Sequence, residues 1–274
     1  MSTILPIHDA DDPRIAAYRD IRERDLVGRQ GLFVAEGRVV LAMLVAATGY
    51  RAESVLVAAH RLDSVGDLVA PLADDVPVYA AEQPVLDAIA GFPMHRGILA
   101  IGRRVDPPSP DALLASLSGD ADVLVLSGIA NHDNMGGLFR NAAAFGVGAV
   151  LLDAECCDPL YRKAIRVSVG GVLKTPYATL ARGDDPVALL ERHGFASLAL
   201  TPGGATTLAE VVPGRRNAVL LGAEGPGLAA DLIARARGVR IDMAAGFDSL
   251  NVATTGGIVL HHLAAGRHRS TSSS

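Results

Sequence analysis

The polar residues best suited to chemistry fall in three short stretches. The first, NHDNMGGLFRNAAAFG at 131–146, places Asn134 at a strand-to-helix turn and Arg140 in the helix that follows. A guanidinium carries a planar fork of donors that fits a phosphate or a carboxylate. An Arg in an Ala- and Phe-rich helix also extends readily to solvent, so spacing alone leaves both uses of Arg140 open. The second stretch, LGAEGPGL at 221–228, follows an apolar run and carries Glu224 among Gly222, Gly225 and Gly227. Such glycines let backbone approach a ligand closely, although a plain tight loop with an exposed Glu fits the same pattern. The third, FDSLNVATTGG at 247–257, starts a helix at Asp248 or Ser249. Asn251 then lies in the first turn, where free backbone N–H groups gather. Gly256 and Gly257 sit inside that helix, each at a cost of roughly 1 kcal/mol relative to Ala. That cost points to close packing against another helix or another subunit, although glycines tolerated in a stable domain fit the same pattern.

Several familiar sites are absent. No G-x-G-x-x-G follows a strand, and neither a G-x-x-x-x-G-K-[ST] nor a G-x-S-x-G occurs. His261 and His262 are adjacent on a helix and point to different sides, which makes a poor metal pair. His132 alone reads as a turn residue. With 274 residues, 50% of them hydrophobic, the chain can bury one large core or two small ones. Aromatic residues are only 4% and Trp is absent, so the core must be aliphatic. The net charge of −5 weighs against a broadly basic nucleic-acid binder, but a local Arg cluster can still supply the field. The two Cys, 156 and 157, are adjacent and have no zinc spacing, so no metal and a reduced, cytoplasmic setting are expected. No signal-peptide pattern opens the chain, and no apolar run reaches 18 residues, so no membrane span is expected.

The elements that must position these residues alternate between β and α. LFVAEG (32–37), AESVLVAA (52–59), VPVYAA (76–81) and RGILAIGRR (96–104) read as strands, with helices at 38–49, 62–73 and 84–91. Residues 13–30 read as helix and turn, with Arg14, Arg19, Arg22, Arg24 and Arg29 interleaved with acids. VDPPSPD at 105–111 holds three prolines and predicts an extended linker. The expected organisation is a domain at 1–104, a linker at 105–120, a second domain at 121–266 and a disordered tail at 267–274. In the second domain DVLVLSGI (122–129) is almost continuously apolar, as in a parallel strand buried on both faces. A helix to Phe145, capped by Gly146, follows, and strands and helices then alternate to 266. The pattern is that of a doubly wound parallel sheet, whose ligands bind at the carboxyl ends of the strands. The three polar stretches all fall at such ends.

Taken together, these three stretches resemble the ordered motifs of the SpoU (TrmH-type) family of RNA ribose 2′-O-methyltransferases, in the SPOUT superfamily. NHDNMGGLFRNAAAFG is similar to the first motif, LLGAEGPGL to the second and IDMAAGFDSLNVATT to the third. GLFVAEG and RGILAI resemble the small α/β substrate-binding domain that often precedes the catalytic one. The sequence departs from the family at His132 and Asp242, where Pro is usual, and at Ala253, where Ser is usual. The resemblance implies an α/β fold with a small N-terminal α/β domain and a C-terminal SPOUT domain. The latter would have a parallel sheet and a deep trefoil knot. It also implies a homodimer that binds S-adenosylmethionine (AdoMet) and acts on rRNA or tRNA.

On that resemblance, Arg140, Asn134, Glu224, Ser249 and Asn251 are the expected catalytic residues. Thr201, Gly222, Ala223, Glu224, Gly225, Ile241, Met243 and Leu250 are expected to hold the cofactor. Arg140 is the family's proposed base, which is awkward for a guanidinium with a pKa above about 12. In the version preferred here, a nearby RNA phosphate takes the proton while Arg140 stabilises the oxyanion. RNA would be gripped by Arg22, Arg24, Arg29, Arg162, Lys163 and Arg166, with Lys174 beside them, although ordinary surface charge would look the same. Two other classes compete: an RNA-binding protein without catalysis, and a small-molecule α/β enzyme with a nucleotide cofactor. AdoMet binding separates the first from the methyltransferase, and the missing phosphate-binding glycine signature argues against the second.

Overall fold

The computed structural model describes residues 4–19, 31–90, 96–246 and 249–271. The chain divides into two compact units, Met1–Pro107 with Asp158–Lys174, and Pro108–Cys157 with Thr175–Ser274. The first is built on a mixed sheet of β1 (Ile4–Ile7), β2 (Leu32–Glu36), β3 (Tyr50–Ala58), β4 (Val78–Ala81) and β5 (Ile98–Arg104), in the order β1-β4-β3-β5-β2. Strands β1, β4 and β3 run parallel, while β5 is antiparallel to β3 and β2. Helices α1 (Arg38–Ala46), α2 (Leu62–Val69) and α3 (Gln83–Ala90) make the connections. Strand β1 was not anticipated: ILPI contains Pro6, which a strand tolerates at the edge of a sheet, where β1 lies. Ile7, Ile15, Leu56, Leu86 and Ile101 are buried together as the core. The helix expected over 13–30 is a short 3₁₀ turn at Pro13–Tyr18, capped by Asp12; residues 20–30 lie outside the described residues.

The second unit opens with α4 (Pro110–Ala115), inside the segment expected to be an extended linker. Two features of the proline-rich stretch suit a helix start. Pro110 takes the first helical position, where its missing N–H costs nothing, and Ser109 Oγ accepts from the Ala112 N–H at 3.2 Å. The chain then forms β6 (Ala121–Leu126), α5 (His132–Ala144) and β7 (Ala149–Leu152). It leaves the unit for α6 (Arg162–Val167) and α7 (Gly171–Lys174), which belong to the first unit and not to the second, where they were expected. Glu36, buried at the end of β2, draws Arg162 in as its counter-charge at 3.0 Å, and Val172 O accepts from Tyr50 Oη. The two helices are separated where Val169 and Gly170 adopt φ of 54° and 81°.

The chain returns as β8 (Tyr177–Thr179), α8 (Pro186–Arg192), β9 (Ala196–Leu200), β10 (Thr206–Thr207), β11 (Arg216–Leu221), α9 (Ala230–Arg235), β12 (Arg237–Arg240) and α10 (Val252–Thr271). The seven strands form one parallel sheet in the order β10-β12-β9-β11-β6-β7-β8. Every residue of β6 is buried, as its unbroken apolar run predicts. Gly146 closes α5 with φ 69°, the left-handed conformation expected of a C-terminal cap. The tail expected to be disordered from 267 instead continues α10 to Thr271. Among the described residues, no helix is long and apolar enough to cross a membrane.

Candidate active site

A cavity of about 440 Å³ opens at the carboxyl ends of β9, β11 and β12, where such sheets bind ligands. Thr201 and Pro202 line it after β9, Gly222 to Gly225 after β11, and Ile241 and Met243 after β12. Ser249, Leu250, Asn251 and Thr255 close it from the start of α10, over a floor of Leu200, Leu221 and Val239. The structure thus brings all eight expected cofactor residues to one cavity. Gly222 in its wall and Gly204 beside it leave no room for a side chain. A Cβ on Gly222 would lie 2.2 Å from the Gly227 carbonyl carbon, because the 222–227 loop folds back and Gly227 N–H donates to Ala223 O at 3.0 Å. A Cβ on Gly204 would lie 2.6 Å from the Val239 carbonyl carbon, so the turn after Thr201 sits directly on β12.

Three expected catalytic residues meet at this cavity. Asn134 is buried in the first turn of α5, and its Nδ2 donates to Glu224 Oε1 at 2.7 Å. Asn251 Nδ2 donates to Asn134 Oδ1 at 2.8 Å and to the same Glu224 oxygen at 3.4 Å. Asn251 Oδ1 is also occupied, accepting from the N–H groups of Ala253 and Thr254. Asn251 is therefore the N-cap of α10, in place of Asp248 or Ser249; Asp248 lies outside the described residues and Ser249 is an exposed residue of the preceding loop. Hydrogen bonds to a charged acceptor are stronger than neutral ones, so the two amides fix the Glu224 carboxylate while leaving its second oxygen free of both. The opposite end of Asn134 is set by the turn before it. Asn131 Oδ1 caps α5 by accepting from Asp133 and Asn134 N–H at 2.8 and 3.3 Å. His132 then occupies the first helical position, which Pro also favours because its N–H needs no helical partner.

Arg140 is not brought to this cluster. Six residues along α5 turn it about 120° around the helix from Asn134, and it is exposed and absent from the cavity wall. Of the residues expected to grip RNA, Arg162 is committed to Glu36, Lys163 and Arg166 are exposed on α6, and Arg22, Arg24 and Arg29 lie outside the described residues. Sequence reasoning did not pick out Pro202, Val239 or Thr255. Thr255 carried a usable signal, because it lies one helical turn after Asn251. Asp242, at a usual Pro position, accepts from Arg240 Nε at 3.1 Å. Ala253 faces Gly137, where only a small side chain fits. Among the described residues, no group of three or more His, Cys, Asp or Glu is placed to hold a metal.

A parallel α/β sheet with a cavity and a Gly-rich loop at its strand ends is of the class that binds small ligands there. The SpoU rRNA methylase family profile matches residues 122–261. An uncharacterised tRNA/rRNA methyltransferase of Mycobacterium bovis is 39% identical over 97% of this chain and 93% of its own length. An AdoMet-bound rRNA methyltransferase structure from Sinorhizobium meliloti superimposes with a TM-score of 0.81 at 21% identity, covering 97% of this chain and 98% of that one. A structure described as an RNA 2′-O ribose methyltransferase superimposes at 0.77 with 25% identity, over 96% of this chain and all of the other. The chain belongs to the SpoU rRNA methylase family.

Proposed function

We infer that this protein transfers a methyl group from AdoMet to a ribose 2′-hydroxyl of rRNA or tRNA. The observation that carries the reading is the joining of the cavity to the Asn134–Glu224–Asn251 network, in a chain of this family. The cavity suits the cofactor: its glycines bring backbone to the wall, its floor is apolar, and Thr201 and Glu224 stand at its edge. Bound there, AdoMet supplies a methyl group already activated on a sulfonium, so the donor needs no metal. The residues of the chain then have to orient a weak nucleophile and manage its proton. Asn134 and Asn251 hold Glu224 so that its free oxygen faces the ribose, and Ser249 lies in position to orient either ligand. Arg140 stabilises the developing oxyanion while an RNA phosphate accepts the proton.

A homodimer completes the reading. Arg140 does not line the cavity of its own chain, and Thr254, Ile258 and His261 form an exposed row along α10 beside α5. Pairing through this face would carry Arg140 toward a partner's cavity. The strand order β12-β9-β11-β6, with β11 inserted between strands formed earlier, supports the implied trefoil knot around the cofactor loops. The first unit would hold RNA, with Lys163 and Arg166 as phosphate contacts, and a cytoplasmic setting goes with such a substrate. The test is incubation of the protein with labelled AdoMet and total rRNA or tRNA, followed by nuclease digestion and mass spectrometry for 2′-O-methylnucleosides. Arg140→Ala should abolish product while calorimetry still records AdoMet binding. Full activity of that variant would sink the role of Arg140, and methylated bases with no methylated ribose would sink the reaction.

A further inference from the structure

The turn between β6 and α5 is held from outside the cavity by residues that no motif marks. Asp153 lies just past β7, the neighbour of β6 in the sheet. Its carboxylate accepts from Ser127 Oγ at 2.6 Å and, with both oxygens, from the Gly128 N–H at 3.0 and 2.9 Å. It closes its own turn by accepting from Glu155 N–H at 3.0 Å. The next residues extend the clasp. Ile129 N–H donates to Cys156 Sγ at 3.4 Å, the Cys156 thiol donates to Leu126 O at 3.3 Å, and Cys157 N–H donates to Ile129 O at 2.9 Å. Each of residues 126–129 is therefore bonded to the 153–157 segment. Gly128 has φ +67°, and a Cβ there would lie 3.2 Å from the Ala223 Cβ, so the clasped turn rests against the residue before Glu224.

We propose that Asp153 is a positioning residue for methyl transfer, fixing the Ser127–Gly128 turn and through it the start of α5 that delivers Asn134 to Glu224. The proposal rests on the reading of that network as the substrate-facing part of a methyltransferase site. An ionised carboxylate only accepts hydrogen bonds and can take several at once. Burial works against the charge on Asp153, but the hydrogen bonds from Ser127, Gly128 and Glu155 help to outweigh it, and the carboxyl is held below its ordinary range. An Asn in this position would keep the shape but offer only one acceptor oxygen. Its amide N–H groups would oppose the Gly128 or Ser127 donor, and the turn would shift or loosen.

The experiment compares full-length wild type, Asp153→Asn, Ser127→Ala, Asn134→Ala and the Asp153→Asn/Asn134→Ala double variant, reading kcat, both KM values and AdoMet affinity by calorimetry. Asp153→Asn should lower kcat about tenfold while AdoMet affinity changes less than threefold. Ser127→Ala, which leaves the Gly128 bonds in place, should lower kcat by a smaller factor. It serves as the test if Asp153→Asn does not fold. In the Asn134→Ala background, Asp153→Asn should add nothing, because the path to the site has already been cut. Unchanged kcat in both single variants, a loss explained wholly by AdoMet affinity, or independent multiplication of the two losses would overturn the assignment. A wild type that makes no 2′-O-methyl product would sink the methyl-transfer reading, and this assignment with it.

Discussion

Glu224 is the residue on which three separated stretches converge, and it is held by amides rather than by a cation. Its two partners are themselves pinned, Asn134 by the Asn131 cap and Asn251 by capping α10. The carboxylate at the cavity is therefore pre-set by two helix starts. The Asp153 clasp has a chemical signature of its own. Burial, and next the neighbouring Asp153 carboxylate, push the Cys156 thiol up to about 12. An ordinary thiol near pKa 8.5 is about one-quarter thiolate at pH 8, whereas Cys156 would be about one part in ten thousand. Its alkylation by iodoacetamide at pH 8 should be roughly a thousandfold slower than that of a free thiol, and Asp153→Asn should speed it. Peptide mass spectrometry over time checks this, and an ordinary rate in wild type would contradict it. Asn134, Glu224 and Asn251 stood out in the sequence as polar residues at the ends of apolar strands, and the resemblance of the three ordered motifs singled them out as a set. Asp153 was not, because its partners Ser127 and Gly128 lie on a neighbouring strand's loop.

At the scale of elements, the site depends on how α10 is seated. Its upper half packs on α5 without room for side chains. A Cβ on Gly256 would come within 2.7 Å of Leu138 and one on Gly257 within 3.0 Å of Asn141, while Asn141 Nδ2 donates to Ala253 O at 2.7 Å. The two costly glycines thus answer to a helix of the same chain. Its lower half is anchored by Arg267, which pairs with buried Asp122, a carboxylate that also accepts from Asn217 Nδ2 at 2.8 Å. Removing one member of such a pair leaves a charge without compensation. Arg267→Ala should therefore cost about 3 kcal/mol, the low end for buried pairs, because Arg267 keeps some contact with solvent. Asp122→Asn in the same background should recover part of the loss. Urea unfolding midpoints give the comparison, and a change under about 0.5 kcal/mol would show that the tail is dispensable. The residues of this pair lie 145 apart in sequence, and the tail in isolation reads only as polar and Ser-rich.

At the scale of the molecule, the chain passes between its two units three times, because Asp158–Lys174 is contributed to the first unit from within the second. Ala164, Ile165, Val172 and Leu173 are buried there. A fragment of residues 108–274 would carry that apolar segment without β2, α1 or Glu36 to receive it. It should melt at a lower temperature than the full chain and bind a hydrophobic dye. Adding back residues 1–107 in trans should restore the full-length melting profile. A fragment as stable and dye-free as the full chain would show that the segment needs no partner.

The sequence by itself determined the strand-and-helix alternation, the doubly buried character of β6, and the three polar strand ends that became the cavity and its network. These are local patterns, written in periods of two and of 3.6 residues and in caps and glycines within a few positions of each other. The tertiary structure alone decided that 158–174 joins the first unit, that Asp153 clasps the Ser127–Gly128 turn and that Arg267 pairs with Asp122. Those outcomes depend on strand order and on pairing of buried charges across many tens of residues, which no periodicity encodes.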